Sequence, residues 1–211
     1  MEGKILIISG FSGCGKGTIV KELLNTSDNY EISISATTRK IRDGEIDGKS
    51  YFFVSKEKFE NMISNNEFLE YACYVDNYYG TPKKYVFEEL EKGKNVILEI
   101  EVQGALQVKK IYNEALLIFI LPPSAKALYD RLKRRNTETD DDIKNRLSRS
   151  LEELTYINKY DLVVINDNLN ECVKKINSVV ENNLTIDDKE KEIIKYTINQ
   201  YKEDVKGEKY V

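Results

Sequence analysis

The chain has 211 residues, 41% hydrophobic and 32% charged, with a formal net charge of −4, a composition that allows one sizeable core carrying inserted subdomains. It has no histidine, which excludes histidine triads, histidine metal sites and imidazole proton shuttles, and its acidic balance gives no whole-chain basic footprint for nucleic acid. Three scattered cysteines, Cys14, Cys73 and Cys172, define neither a zinc pattern nor a disulfide framework and fit a reducing cytoplasm.

In chain order, Lys4–Ser9 is an apolar, β-branched run that predicts a buried strand ending at Gly10. Its four apolar residues Ile5–Ile8 are too few for a signal-peptide core. Lys16–Leu24 then sets Ile19, Val20, Leu23 and Leu24 at helical spacing. Further buried strands are predicted at Asn95–Ile100, Ala115–Leu121 and Asp161–Ile165. The longest of these apolar runs is far too short to span a bilayer. Helices follow to about Tyr112, after a cap at Ser124, and over Leu169–Val180. Strands alternating with helices predict an α/β fold, a parallel sheet flanked by helices.

Two stretches break the rhythm. Residues 35–80 are aromatic and polar, with strand-like pieces at Tyr51–Val54 and Phe68–Tyr74 and a helix near Lys56–Ser64, and read as an inserted small mixed α/β subdomain. Residues 134–149 read as a lid: a purely polar loop, Arg134–Asp142, whose Asp140–Asp142 suit the next helix's N-terminus. The core is then 1–34, 81–133 and 150–185, and 186–211 is a charged helical tail.

Ser12, Gly13, Cys14, Gly15, Lys16, Gly17 and Thr18 lie between the first strand and the first helix. Glycines there let backbone N–H groups turn inward on phosphate oxygens, the helix N-terminus adds positive potential, and Lys16 supplies a charge. The hydroxyl comes one residue later than usual, at Thr18, so its contact to Mg²⁺ is left open between direct and through water. Cys14 is either a thiol activated by Lys16 or a small residue whose backbone is what counts. Arginine points the same way. The basic side chains number 32, yet the only arginines are Arg39, Arg42, Arg131, Arg134, Arg135, Arg146 and Arg149. A lysine-rich chain that confines arginine to two stretches reserves its rigid fork for phosphate or carboxylate.

From Ser35-Ala36-Thr37-Thr38-Arg39 onward the sequence resembles guanylate kinases, P-loop nucleoside monophosphate kinases. The likeness runs through Arg42, Gly44-Glu45, Asp47-Gly48, Tyr51-Phe52-Phe53, Phe68–Ala72, Asn77–Thr81 and Glu99–Gly104. It continues at Arg131–Arg135, Arg146 and Val164–Asp167, covering nearly all of the chain to about Val180. The resemblance implies Mg–ATP as donor and GMP or dGMP as acceptor; the charge balance and the short apolar runs predict no nucleic acid or membrane partner and a cytoplasmic protein, and monomer and homodimer both stay open. It implies that Ser35, Glu70 and Thr81 face the guanine, that Arg39, Arg42, Tyr51 and Tyr79 hold the GMP phosphate, and that Glu101 lies near the acceptor nucleotide or Mg²⁺. The chain departs from the family pattern at Phe11 and Ile41, where proline is frequent, and at Glu101, where aspartate is usual. Each residue also has a plainer reading. Thr81 can be an N-cap before Pro82, the tyrosines core aromatics, Glu70 a surface charge on an edge strand, and Asn166 a turn residue as readily as an adenine contact.

Arg131 and Arg135 share a helical face, and with Arg146, Lys16 and Arg39 they are assigned to in-line phosphoryl transfer. Transfer of this kind needs positioning and charge more than a general base, in keeping with the lack of histidine. The rivals are another monophosphate kinase and a non-catalytic guanylate-kinase-like module that binds peptides.

Overall fold

The computed structural model describes residues 3–74, 76–134, 139–182 and 187–207. The strands are β1 (Ile5–Gly10), β2 (Tyr30–Ile32), β3 (Ala36–Thr37), β4 (Phe52–Phe53), β5 (Phe68–Tyr74), β6 (Asn77–Pro82), β7 (Asn95–Glu99), β8 (Leu116–Leu121) and β9 (Leu162–Ile165). The helices are α1 (Lys16–Thr26), α2 (Lys56–Ser64), α3 (Lys83–Glu91), α4 (Val102–Ile111), α5 (Ala125–Lys133), α6 (Asp140–Glu153), α7 (Leu169–Asn182) and α8 (Asp188–Lys206). The larger sheet has the order β2-β7-β1-β8-β9 and the smaller one β4-β3-β6-β5. No helix among the described residues is long and apolar enough to cross a membrane.

The described residues divide into two compact units, one from 1–7 and 26–115, the other from 8–25 and 116–211. In the first, β2 runs parallel to β7 with Tyr30 opposite Asn95. The smaller sheet sets β3 parallel to β4 and antiparallel to β6, and β5 antiparallel to β6 with Glu70 opposite Thr81. Ala36, Phe59 and Phe68 form its small core, with Phe52, Met62 and Tyr78 packed on it. The Phe59 ring stacks on Phe68 at 4.4 Å and on Tyr78 at 5.2 Å, so for Tyr78 the core reading holds. Helix α2 starts where a local cap dictates, Ser55 accepting from the Lys58 N–H at 3.1 Å.

In the second unit β8 and β9 pair in parallel, Ile118 opposite Leu162. Leu117 through Leu121 are wholly buried, as a continuous apolar run in a covered parallel sheet should be. Ser124 caps α5 through the Ala127 N–H. Thr139 and Asp142 form a reciprocal capping box on α6. Asp187 caps α8 through the Glu190 N–H.

Four elements differ from the sequence reading. β2, β3 and α3 are additional, and the Asn77–Thr81 stretch forms a strand that continues through Pro82. The N-cap of α3 is therefore Pro82, not Thr81. Thr81 stays extended because it pairs with Glu70 across the hairpin.

Candidate active site

In the second unit, β1 delivers the chain into the glycine loop and α1 carries it out. Gly10, Gly13 and Gly15 have φ of +144°, +88° and +98°, a region that L side chains avoid. Space forbids a side chain as well. A Cβ at Gly10 would lie 2.3 Å from the Ile120 carbonyl oxygen, and one at Gly15 would lie 2.4 Å from Asn166 Nδ2. The Cys14 N–H donates to the Phe11 carbonyl at 3.1 Å. Lys16 Nζ folds over the loop and donates to the Gly10 carbonyl at 2.6 Å and the Phe11 carbonyl at 3.1 Å.

Three more side chains gather on this loop. Arg131 spreads its fork between the Cys14 carbonyl, 2.9 Å, and the Asn166 carbonyl, 2.8 Å. Asn166 Nδ2 donates to the same Cys14 carbonyl at 2.8 Å. Arg146, on α6, donates to Ser12 Oγ. Arg131 thus clamps the loop backbone, while Lys16 and Arg146 add charge beside it. Asn166 is buried and braces the loop, more than a plain turn residue does. Gly17 and Thr18 are exposed in the first turn of α1. Arg134 is exposed at the C-cap of α5, and Arg149 is exposed on α6. Arg135 lies outside the described residues. Burial pushes the Cys14 thiol up, and the nearby Lys16 only partly opposes this, so Cys14 is a small loop residue and not an activated thiol.

The second cluster lies in the first unit. Thr81 Oγ1 donates to Glu70 Oε1 at 2.6 Å. Glu70 is only 8% exposed, which overturns the surface-charge reading. Burial raises its pKa above the usual carboxylate value; the Thr81 hydrogen bonds pull it down, and the charge of Glu101 adds to the rise. Gly104 makes room for this carboxylate: a Cβ there would lie 2.8 Å from Glu70 Oε2. Glu101 is exposed at the N-cap of α4.

Tyr79 and Thr81 are two apart on β6 and share a face. Tyr79 faces Tyr51 at 6.1 Å between rings, and the Arg39 guanidinium carbon lies 5.4 Å from the Tyr51 ring centre. Arg39 is held in a two-point grip by Glu45, at 2.7 and 3.0 Å. Glu45 also accepts from the Arg42 backbone N–H at 2.8 Å. The Arg39 hydrogen bond keeps the Glu45 carboxyl below the usual carboxylate range. Arg42 itself is exposed, and Ser35 is half-buried just before β3. Arg39, Tyr51 and Tyr79 therefore assemble as one group and Glu70 with Thr81 as another. Glu45 and Gly104 are the residues that sequence reasoning gave no role. A carboxylate three positions after Arg42 was the available signal for Glu45; nothing local marked Gly104.

A family model described as guanylate kinase matches residues 2–183. Guanylate kinase of Clostridium tetani is 52% identical over 179 residues, covering 85% of this chain and 86% of that protein. Guanylate kinase of Clostridioides difficile is 48% identical over 204 residues, covering 97% of this chain and 98% of that one. Among solved structures, guanylate kinase from Anaplasma phagocytophilum aligns with a TM-score of 0.66 at 32% identity, covering 85% of each chain.

Proposed function

The chain belongs to the guanylate kinase family, and from that premise we infer that it is an ATP:GMP phosphotransferase, converting ATP and GMP to ADP and GDP. The observation that carries the acceptor assignment is the buried Glu70 carboxylate held by Thr81. Guanine presents a ring N–H and an amino group side by side, and an ionised carboxylate accepts from both. Adenine has a lone pair where guanine has the ring N–H and is repelled. Sites built on hydrogen bonds reject wrong partners far more sharply than apolar pockets do.

In this reading the N–H groups of residues 12–18 and Lys16 hold the ATP phosphates, with Asn166 toward the adenine. Lys16 now rests on loop carbonyls and exchanges them for phosphate oxygens. Arg131 keeps the loop in shape, and Arg146 and Arg135 bring charge to the transferring group as residues 134–149 close as a lid that excludes water. Arg39, Arg42, Tyr51 and Tyr79 take the GMP phosphate. The two-point hold of Arg39 on the Glu45 carboxylate supports this, because both terminal nitrogens already engage a two-oxygen anion there, as they would on exchanging it for phosphate. Ser35 serves the guanine oxygen, Thr81 spends its one hydroxyl proton on Glu70 and so holds the carboxylate that reads the base, and Glu101 completes the acceptor side. None of these contacts needs the ribose 2′-hydroxyl, so dGMP is accepted as well. The attacking phosphate is largely a dianion near neutral pH and needs no general base.

Mg²⁺ fits the donor set around the loop. Such an ion keeps most of its ligands from ATP phosphates and water, and Thr18 offers one exposed hydroxyl, direct or through water. Bound there, it would neutralise charge on the phosphates. We place the enzyme in the cytoplasm, where free Cys14, Cys73 and Cys172 suit a reducing environment. The peptide-binding alternative is not favoured, since Lys16, Arg131 and Arg146 are all in place.

Lys16→Ala is expected to lower kcat by at least about 10²-fold, the scale on which positioned charge acts in phosphoryl transfer, while calorimetric GMP binding stays within about twofold. Near-normal turnover of that variant would contradict the loop assignment.

A further inference from the structure

The family match ends at residue 183, so α8 lies beyond it. Tyr201, a residue of α8, is wholly buried. Its ring stacks on Phe11 with centroids 5.1 Å apart and planes at 29°. Phe11 is a residue of the glycine loop, 1% exposed, and its ring also meets Phe119 edge-on at 5.5 Å. Its carbonyl oxygen is the one that takes the Cys14 N–H and Lys16 Nζ. The ring of Tyr201 therefore backs a residue whose carbonyl takes part in the curl of the loop and, with the nearer Gly10 carbonyl, in the resting place of its lysine.

The other end of the same side chain reaches α6. Tyr201 Oη and Ser150 Oγ are 2.7 Å apart. Ser150 gives its own proton to the Leu147 carbonyl at 2.5 Å, so the tyrosine hydroxyl is the donor. Ser150 lies one turn after Arg146, whose guanidinium meets Ser12 of the loop. Tyr201 thus touches, with its two ends, the loop and the helix that carries an arginine to it.

We propose that Tyr201 is a positioning residue for the ATP-phosphate site, through which the C-terminal helix fastens the glycine loop and α6 in one mutual arrangement. The inference rests on the reading of residues 12–18 as the ATP site. It assigns the tail a part in donor binding and none in acceptor binding, and it gives Phe11, the departure from the family's proline, a purpose. A proline there would offer no aromatic face to α8.

Calorimetric titrations of ATP and of GMP into the full chain test this. Tyr201→Phe removes the hydroxyl alone and is expected to weaken ATP binding about three- to tenfold, the size of one hydrogen bond, with GMP affinity within about twofold. Ser150→Ala should match it, and the double variant should be no worse than either single one. Tyr201→Leu removes the stacked ring too and should weaken ATP further. Tyr196→Ala, on the same helix but 67% exposed, should change neither affinity. Unchanged ATP affinity in both Tyr201 variants overturns the proposal. So does a parallel loss of ATP and GMP affinity that follows thermal stability. A parent chain that binds ATP but does not phosphorylate GMP would refute the proposed reaction and leave these ATP titrations decisive. A parent that binds no ATP overturns the inference together with the loop reading.

Discussion

At the scale of single residues, the proposed reading of guanine turns on Glu70. Its ionised form would accept from both guanine donors; the protonated acid would not. Burial raises its pKa in the folded protein, so the proton returns at a higher pH than for an exposed glutamate, and GMP binding weakens as pH falls through that window. Glu70→Gln is expected to cut the GMP-over-AMP preference in kcat/KM about 10- to 100-fold, the range for a hydrogen bond to a charged group. GMP's own phosphate titrates nearby in both proteins, so the test compares their KM for GMP against pH: the extra rise on acidification should be missing in Glu70→Gln. Stability has the opposite sign. A carboxyl whose folded pKa is raised favours folding when protonated, and that stability is lost as pH rises through the folded pKa. Ligand-free Glu70→Gln should therefore melt above the parent at neutral pH. Unchanged selectivity together with a lower melting temperature would mean that Glu70 is structural.

At the scale of elements, ends set by local chemistry were legible in the sequence. Lys56–Ser64, the Ser124 cap and the acidic start of α6 all follow from caps acting within three residues. The capping box on α6 matters because this helix carries Arg146. Thr139→Ala removes one side of the box, with Thr139 Oγ1 accepting from the Asp142 N–H at 3.2 Å. It should destabilise the protein by about 1 kcal/mol, lowering Tm by about 2–4 °C in a thermal melt, and leave GMP affinity unchanged. β2 and β6 were not legible as strands, because what makes them strands is distant in sequence. Tyr30–Ile32 is only three residues long and is extended by pairing with Asn95–Ile97. Thr81 stays extended because Glu70 lies across from it, against the local preference of Thr-Pro for a helix start.

At the scale of the whole molecule, the same division explains the site. The glycine loop is visible in the sequence because its backbone demands glycine at fixed spacing, and the two arginine stretches stand out against a lysine-rich chain. The room that Gly104 leaves for Glu70, the hold of Arg131 on the Cys14 carbonyl and the stacking of Tyr201 on Phe11 join residues far apart in the chain. No local pattern could reveal them. The clusters proposed to bind ATP and GMP fall in different compact units, so the two affinities should respond to different sets of substitutions.

In the proposed reading this chain phosphorylates GMP because a buried carboxylate reads guanine. A coupled assay of ADP formation from Mg–ATP, offering GMP, dGMP, AMP, UMP and CMP in turn, tests it most directly. The expected result is turnover with GMP and dGMP, and kcat/KM for each of the other three lower by about 10³-fold or more. A preference for AMP, UMP or CMP, or no turnover with any acceptor, would contradict it.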